Sequence, residues 1–172
     1  MEMLRKLAAW TRARLAARPD TEHEQALVRV LVALALGAYL LEDLALTLAD
    51  PDNLAFVTYL GISLAILGWV LTSASVSHLR RCIGLVADVS IITFSMWYFG
   101  ERALPLLLVY VWVTLANGFR FGPRYLLVSM GLSLASFAIV LAQTPYWYDR
   151  IGTGLGIAAL FVALSVYVLS LV

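Results

Sequence analysis

Two charged residues lie inside otherwise apolar stretches of this sequence, and they are the first candidates for chemistry. Arg29 lies near the start of the stretch 25–47, and Asp88 is the only charged residue in 82–100. A charge in apolar surroundings costs free energy unless it has a partner, so such residues mark ion pairs or functional sites. Their similar depth from one side predicts that the two side chains pair. The pair either orients two helices or forms a switch that a ligand makes or breaks.

A second group of polar residues follows the spacing of one helical face. Tyr110, Thr114 and Asn117 recur at i, i+4 and i+7, and Arg120 follows about one turn later. A polar stripe on an apolar membrane helix faces other helices or a cavity. The stripe therefore predicts either hydrogen bonds between helices or a binding site.

No sequence pattern typical of a catalytic site occurs, and we predict no catalytic residue. The stretch 152–156 lacks the strand and lysine of a phosphate-binding loop, so we interpret Gly152 and Gly156 as a helix-packing face. His23 and His78 could face each other on two helices and hold haem or a metal ion. Histidines near an interface are more often solvated, and no supporting residues are visible, so no metal or cofactor is predicted.

The composition of the 172-residue chain indicates where these residues lie. Apolar residues make up 62% and charged residues 13%, whereas a soluble domain has about half and about a quarter. So few charges exclude a typical cytosolic enzyme and a disordered tail. The net charge of +1 provides no field to recruit nucleic acid, and one cysteine excludes an internal disulfide. The remaining class is a multi-pass protein in a lipid bilayer.

The predicted fold is all-α: a polytopic membrane bundle of six transmembrane helices preceded by an amphipathic N-terminal helix. Apolar stretches of about 20 residues can cross the hydrocarbon core as helices. The six predicted spans are 25–47, 54–76, 83–99, 103–118, 125–143 and 152–171. The leader 1–24 is expected to lie on the inner leaflet, and 25–172 forms the transmembrane domain. The adjacent acids Glu42 and Asp43 are interpreted as the end of the first span at the headgroups.

The distribution of basic residues predicts the orientation. Nine lysines and arginines lie in segments on one side of the predicted spans and two, Arg102 and Arg150, on the other. The nine are Arg5, Lys6, Arg12, Arg14, Arg18, Arg80, Arg81, Arg120 and Arg124. Cytoplasmic segments carry the excess of positive charge, so both termini are predicted to be cytoplasmic.

Several strings of residues resemble the membrane input region of RpfC-type sensor histidine kinases, the hybrid kinases that detect diffusible signal factor. The resemblance covers nearly all of 20–150, and Trp112–Gly122 is its most specific string, although related kinases with other outputs share it. The matching strings are Thr21–His23 with Leu27–Arg29, Val76–Arg81 with Gly84 and Asp88, Trp112–Gly122 with Tyr125–Leu126, and Pro145–Trp147. The leader and the last helix resemble those of the family in general character and not residue by residue.

The resemblance implies the transmembrane sensor domain of a two-component hybrid histidine kinase in the bacterial inner membrane. It implies a quorum-sensing signal, a cis-2-unsaturated fatty acid of about a dozen carbons, and a cytoplasmic kinase that forms a homodimer. The family's signal-sensing juxtamembrane segment matches Asp20, Thr21 and Glu22. The family is usually described with five spans and this segment outside, whereas the basic residues here predict six spans and the segment inside.

The kinase part is absent from this sequence, so this part alone is not predicted to be an enzyme. The chain stops at Val172 inside an apolar run, and we expect the natural chain to continue into the cytoplasm.

A fatty-acid signal would need groups that recognise its carboxylate, because its tail is already dissolved in the bilayer. Arginine and aromatic hydroxyls bind carboxylates well. The predicted ligand-binding residues are Arg29, Asp88, Tyr110, Trp112, Asn117 and Arg120, with Arg102 and Arg150 as candidates if the headgroup docks outside. The alternatives are a small-molecule membrane transporter, a membrane-embedded enzyme subunit or a structural subunit. A transporter would need a polar path and usually inverted repeats, and the intramembrane charges here are few.

Overall fold

The computed structural model describes residues 21–40, 50–73 and 75–171, and these parts of the chain are helical without a β-strand. The predicted all-α fold is therefore confirmed. The helices are α1 (Glu22–Leu40), α2 (Pro51–Thr72), α3 (His78–Phe99), α4 (Leu107–Phe121), α5 (Pro123–Gln143), α6 (Pro145–Tyr148) and α7 (Ile151–Leu169). A 3₁₀ segment (Gly100–Leu106) connects α3 to α4. Most of the predicted leader, including Asp20, and the pair Glu42 and Asp43 lie outside the described residues.

Five helical stretches of the described chain are long and apolar enough to cross a membrane, whereas six spans were predicted. The third stretch, His78–Phe121, has 44 residues and contains two of the predicted spans. Within it the chain turns back at Gly100, whose φ of 55° lies in the left-handed region that glycine adopts readily. Thr93 Oγ1 and Tyr110 OH lie 2.8 Å apart, although a straight helix would separate these residues by about 25 Å. This stretch is therefore a hairpin of α3 and α4.

Local capping chemistry places two helices differently from the predicted spans. α2 begins at Pro51 rather than 54, because proline suits the first turn of a helix, where its missing N–H is not needed. The same helix ends at Thr72 rather than 76. α3 begins at His78 rather than 83. The Ser77 hydroxyl accepts a hydrogen bond from the Arg80 N–H at 3.3 Å and starts the helix there. The two arginines before the predicted span thus belong to the helix itself.

α3 is the central helix of the bundle and packs against α1, α2, α4 and α5. α1 packs mainly on α2, α4 packs mainly on α5, and α7 lies against both α4 and α5. The apolar core centres on α3, where Ile92 and Met96 are buried. Leu108 and Leu160 are 73% and 70% exposed and face outward, as helix faces in contact with lipid do. We call the end that holds the starts of α1 and α3 the inner end.

The interpretation of Gly152 and Gly156 as a packing face is wrong. Both glycines are exposed, and nothing lies within 4 Å of the position that a Cβ would occupy. The glycine of this stretch that packs is Gly154, where a Cβ would lie 2.5 Å from Leu141 Cδ2 of α5. Positions two apart on a helix point about 200° apart, so α7 turns the opposite face toward the bundle.

Gly118 sets the distance between α4 and α5, because a Cβ there would lie 2.9 Å from the Leu126 Cβ. We expect Gly118→Ala to overpack this contact and to lower the free energy of unfolding by about 1–3 kcal/mol. Gly131→Ala is the matched control, since nothing lies within 4 Å of a Cβ there. Thermal unfolding in detergent micelles compares the two variants. Equal unfolding temperatures would contradict the close α4–α5 contact.

Candidate functional site

The predicted pairing of Arg29 and Asp88 is confirmed, and the pair joins α1 to α3. Arg29 Nε donates to Asp88 Oδ1 at 2.6 Å, and Arg29 Nη2 donates to Asp88 Oδ2 at 2.8 Å. The Tyr59 hydroxyl of α2 donates a third hydrogen bond, to Asp88 Oδ1 at 2.9 Å. The Arg29 and Asp88 side chains are 4% and 10% exposed, so each charge is compensated by its partner rather than by solvent. Three helices therefore meet at one carboxylate.

Gly84 makes room for the arginine of this pair. A Cβ at Gly84 would lie 2.7 Å from Arg29 Cζ, so the guanidinium rests directly on the α3 backbone. Gly84 precedes Asp88 by one helical turn, which places the open surface and the carboxylate on the same face of α3. The spacing of these two residues is visible in the sequence, but their shared contact with Arg29 is a tertiary feature.

A small cleft between α1, α3 and α4 surrounds the ion pair, and we call it the polar cleft after its charged and amide side chains, although most of its lining is apolar. Five of the six predicted ligand-binding residues line it: Arg29, Asp88, Trp112, Asn117 and Arg120. The sixth, Tyr110, lies elsewhere, and its hydroxyl contacts Thr93 of α3. The cleft has a volume of about 40 Å³, close to the ~30 Å³ that one water molecule occupies in the liquid. Contact between a ligand and these residues stays a prediction.

Two polar contacts hold α1 against α4 at the inner end of the cleft. Gln25 Nε2 donates to Asn117 Oδ1 at 3.2 Å. Arg120 Nη2 lies 3.7 Å from a Glu24 carboxylate oxygen, in a more exposed ion pair. The stripe of α4 therefore makes interhelical contacts, which was one of its two predicted roles. Gln25 was not among the predicted site residues, because its position at the start of a span did not mark it.

Glu22, predicted to be a signal-sensing residue, lies in a second buried cluster at the inner end. Arg80 Nε donates to Glu22 Oε2 at 2.8 Å, and Arg80 Nη2 donates to the same oxygen. Arg81 Nε donates to Glu22 Oε1 at 2.5 Å, and the Ser77 N–H donates to that oxygen at 3.4 Å. Glu22 and Arg80 are 4% and 2% exposed. Thr21, the other described residue of the predicted segment, is exposed just before α1.

Aromatic rings connect this Glu22–Arg80–Arg81 cluster to three further helices. The Arg80 guanidinium lies 5.7 Å from the Trp69 ring of α2, and the Arg81 guanidinium lies 4.1 Å from the Phe121 ring of α4. His78 Nδ1 lies 2.6 Å from the Tyr125 hydroxyl of α5. His78 thus contacts a tyrosine, and within the described residues no three potential metal ligands come together.

A larger apolar groove runs between α2 and α3 on the outside of the bundle, with a volume of about 610 Å³. Tyr59 and Ile91 line both this groove and the polar cleft, so the two spaces share these two side chains. The groove was not predicted from the sequence, because the residues of its walls are mostly the small and apolar residues common in membrane helices.

The chain is similar to the sensory/regulatory protein RpfC of two strains of Xanthomonas campestris pv. campestris. The identity is 33% over 141 residues, which is 80% of this chain and 19% of the RpfC protein. The chain therefore spans about a fifth of the length of these relatives. No family model matches the chain, and no solved structure matches it. The similarity supports an RpfC-like sensor region, which the sequence strings predicted.

Removing one partner of the Arg29–Asp88 pair should leave an uncompensated charge in the core. We expect Asp88→Asn to lower the free energy of unfolding by about 3–5 kcal/mol. Asp149→Asn, at an exposed site, should change it by less than about 0.5 kcal/mol and serves as the control. The exchange of both charges, Arg29→Asp with Asp88→Arg, should be more stable than either single exchange. Unfolding of the purified variants measures these differences, and a double exchange as unstable as the worse single one would argue against the pair.

Proposed function

We propose that the chain is the membrane-embedded sensory region of an RpfC-type sensor histidine kinase, which receives a lipophilic signal and relays it to a cytoplasmic kinase. The observation that carries this proposal is the buried Arg29–Asp88–Tyr59 contact, in a chain that is similar to a sensory protein. A charged contact between three helices has a bonded and a broken state, and a sensor needs two such states. The five apolar helical stretches support its place in a membrane.

The bundle crosses a bacterial inner membrane six times, with both termini in the cytoplasm. The hairpin at Gly100 supports two crossings in the stretch His78–Phe121. Contacts of Glu22 with Arg80 and of Glu24 with Arg120 bring the starts of α1 and α3 and the end of α4 to the inner end. The basic residues of these segments thus gather at one end of the bundle, as the excess of cytoplasmic positive charge requires.

The signal is a cis-2-unsaturated fatty acid, the diffusible signal factor. Transfer of its chain from water gains about 0.8 kcal/mol per methylene, but the bilayer already supplies most of that gain. Selectivity must therefore come from the carboxylate, the double bond and the shape of the site. Arg29, Asp88, Tyr110, Trp112, Asn117 and Arg120 are the residues whose contacts change with the signal. The cleft of about 40 Å³ is too small for an acyl chain, so the chain binds outside it or widens it.

The juxtamembrane residues Asp20, Thr21 and Glu22 couple the signal to the start of α1. Glu22 is suited to this role because its contacts with Arg80 and Arg81 tie the start of α1 to α3. A ligand that prefers one of two helix arrangements by a few kcal/mol changes their populations by orders of magnitude. The kinase part forms the homodimer that converts this change into phosphorylation.

Two measurements test the proposed function. The gene sequence after the codon for Val172 should encode a histidine kinase, and a stop codon there would overturn the kinase output.

The full-length protein in lipid vesicles should change its autophosphorylation rate at least several-fold with the cis-2-unsaturated acid and much less with the saturated acid of equal length. The same response to any single-chain detergent-like acid would contradict specific sensing.

A further inference from the structure

The α2–α3 groove has the dimensions and the lining of a site for one acyl chain. Its volume of about 610 Å³ lies within the range of about 300–1,000 Å³ found for small-molecule sites. Its wall on α3 extends from Cys82 to Phe94, about 18 Å at 1.5 Å per residue, and its wall on α2 extends from Ala55 to Ile62, about 10 Å. Half of the hydrocarbon core measures about 15 Å, so a chain of the length of one leaflet fits the groove. Small or apolar residues form most of both walls, among them Ala55, Ile62, Val86 and Ala87.

Arg80 lies at the inner end of the face of α3 that forms this groove. Positions 80, 87, 91 and 94 are spaced i, i+7, i+11 and i+14, which is one helical stripe, and the last three line the groove. The Arg80 guanidinium also lies 5.7 Å from the Trp69 ring of α2, so it stands between the two helices that make the groove. Arg80 is 2% exposed, and its Nη1 has no hydrogen-bond partner among the described residues.

The same arginine already binds a carboxylate, that of Glu22. Arg80 Nε donates to Glu22 Oε2 at 2.8 Å, and the neighbouring Arg81 Nε donates to the other oxygen at 2.5 Å. Two guanidinium groups around one carboxylate, together with the Ser77 N–H, form an anion site of the kind that arginine favours. Arg80 does not line the groove itself but precedes Cys82, the first lining residue on α3, by two residues, so a carboxylate site that an internal side chain occupies lies next to the inner end of the groove.

We propose, on the basis of the proposed function, that the fatty acid lies with its chain in the α2–α3 groove and its carboxylate at Arg80 in place of Glu22. The exchange replaces one carboxylate by another, so the buried arginine keeps a counter-ion throughout. Glu22 and the start of α1 are released from α3 in the exchange. The chain also contacts Tyr59, which hydrogen-bonds Asp88 at 2.9 Å, so the same ligand acts on the Arg29–Asp88 pair.

The cationic groups of the polar cleft fit this ligand less well than Arg80. Arg29 Nε and Nη2 both bind Asp88, and the space around them is about 40 Å³. Arg120 lines the cleft and not the groove, and the volume of the cleft, about 40 Å³, is far smaller than the 610 Å³ of the groove. Arg120→Gln therefore distinguishes a carboxylate in the cleft from one at Arg80.

Cys82, the single cysteine of the chain, reports whether the groove is filled. It is exposed and lines the groove, so N-ethylmaleimide labelling of the peptide that contains Cys82 reports on the groove. In lipid vesicles, a saturating cis-2-unsaturated acid should slow labelling at least several-fold, and its methyl ester should protect much less. A Cys82→Ala, Leu160→Cys variant moves the thiol to an exposed position on α7, where the acid should not protect it.

Substitutions separate the groove and Arg80 from the cleft. Ala87→Phe fills the groove and should weaken binding of the acid at least tenfold, whereas Ala163→Phe, at an exposed position of α7, should not. Arg80→Gln should weaken binding by a similar factor, whereas Arg124→Gln, at an exposed position at the start of α5, should change it by less than threefold. Glu22→Gln removes the internal competitor and should tighten binding several-fold, a gain that a purely structural role of Glu22 does not produce.

The outcomes distinguish this inference from the proposed function. If the acid binds but Cys82 is not protected and Ala87→Phe has no effect, the groove site is overturned while the sensory function stands. If Glu22→Gln binds the acid more weakly than or as tightly as the unchanged protein, the exchange of carboxylates at Arg80 is overturned. This measurement does not depend on whether Arg80→Gln folds. If Arg120→Gln loses binding of the acid and Arg80→Gln keeps it, the carboxylate of the acid lies in the polar cleft and the inference is overturned. No binding of the acid to the full-length protein overturns both.

Discussion

The contact of Arg29 with Asp88 and Tyr59 is the constraint on which the arrangement of α1, α2 and α3 depends. An isolated charge in an apolar core is far more costly than a hydrogen-bonded pair, so the helices must bring these side chains together. Gly84 is part of this requirement, because a Cβ at that position would occupy the space of the guanidinium. The pair thus defines the height and the rotation of α1 relative to α3.

The Glu22–Arg80–Arg81 cluster repeats this arrangement two turns closer to the inner end, with the signs reversed. Glu22 and Arg29 are seven residues apart on α1, and Arg81 and Asp88 are seven residues apart on α3. Because α1 and α3 run in the same direction, both pairs form in one register. A slip by one turn would break both contacts together. The register between these helices is therefore specified by charge, in a bundle whose other contacts are largely apolar.

This design suits a sensor more than a rigid scaffold. α1 packs mainly on α2, and its links to α3 and α4 are side-chain ion pairs and hydrogen bonds. Ion pairs and hydrogen bonds between helices form in only a few relative positions of those helices. A change at one of these contacts therefore favours a second, distinct arrangement over a continuous deformation. Tyr59 and Ile91 line both the apolar groove and the polar cleft, and the Tyr59 hydroxyl donates to Asp88, so the wall of the groove is connected directly to the charged contact.

The sequence by itself determined the all-α membrane class, the regions of most of the helices and the pairing of Arg29 with Asp88. In a bilayer, a long uncharged stretch forms a helix because the helix pairs all of its backbone N–H and C=O groups. Two opposite charges buried at similar depth are expected to form an ion pair, because each is costly without a partner. The tertiary structure decided the rest: the partners of Glu22, the contribution of Tyr59, the packing of Gly154 rather than Gly152 and Gly156, and the groove beside α3. The sequence does not indicate which face of such a helix turns inward, because the lipid-facing side is as apolar as the core. That choice is made only when side chains from distant parts of the sequence pack together.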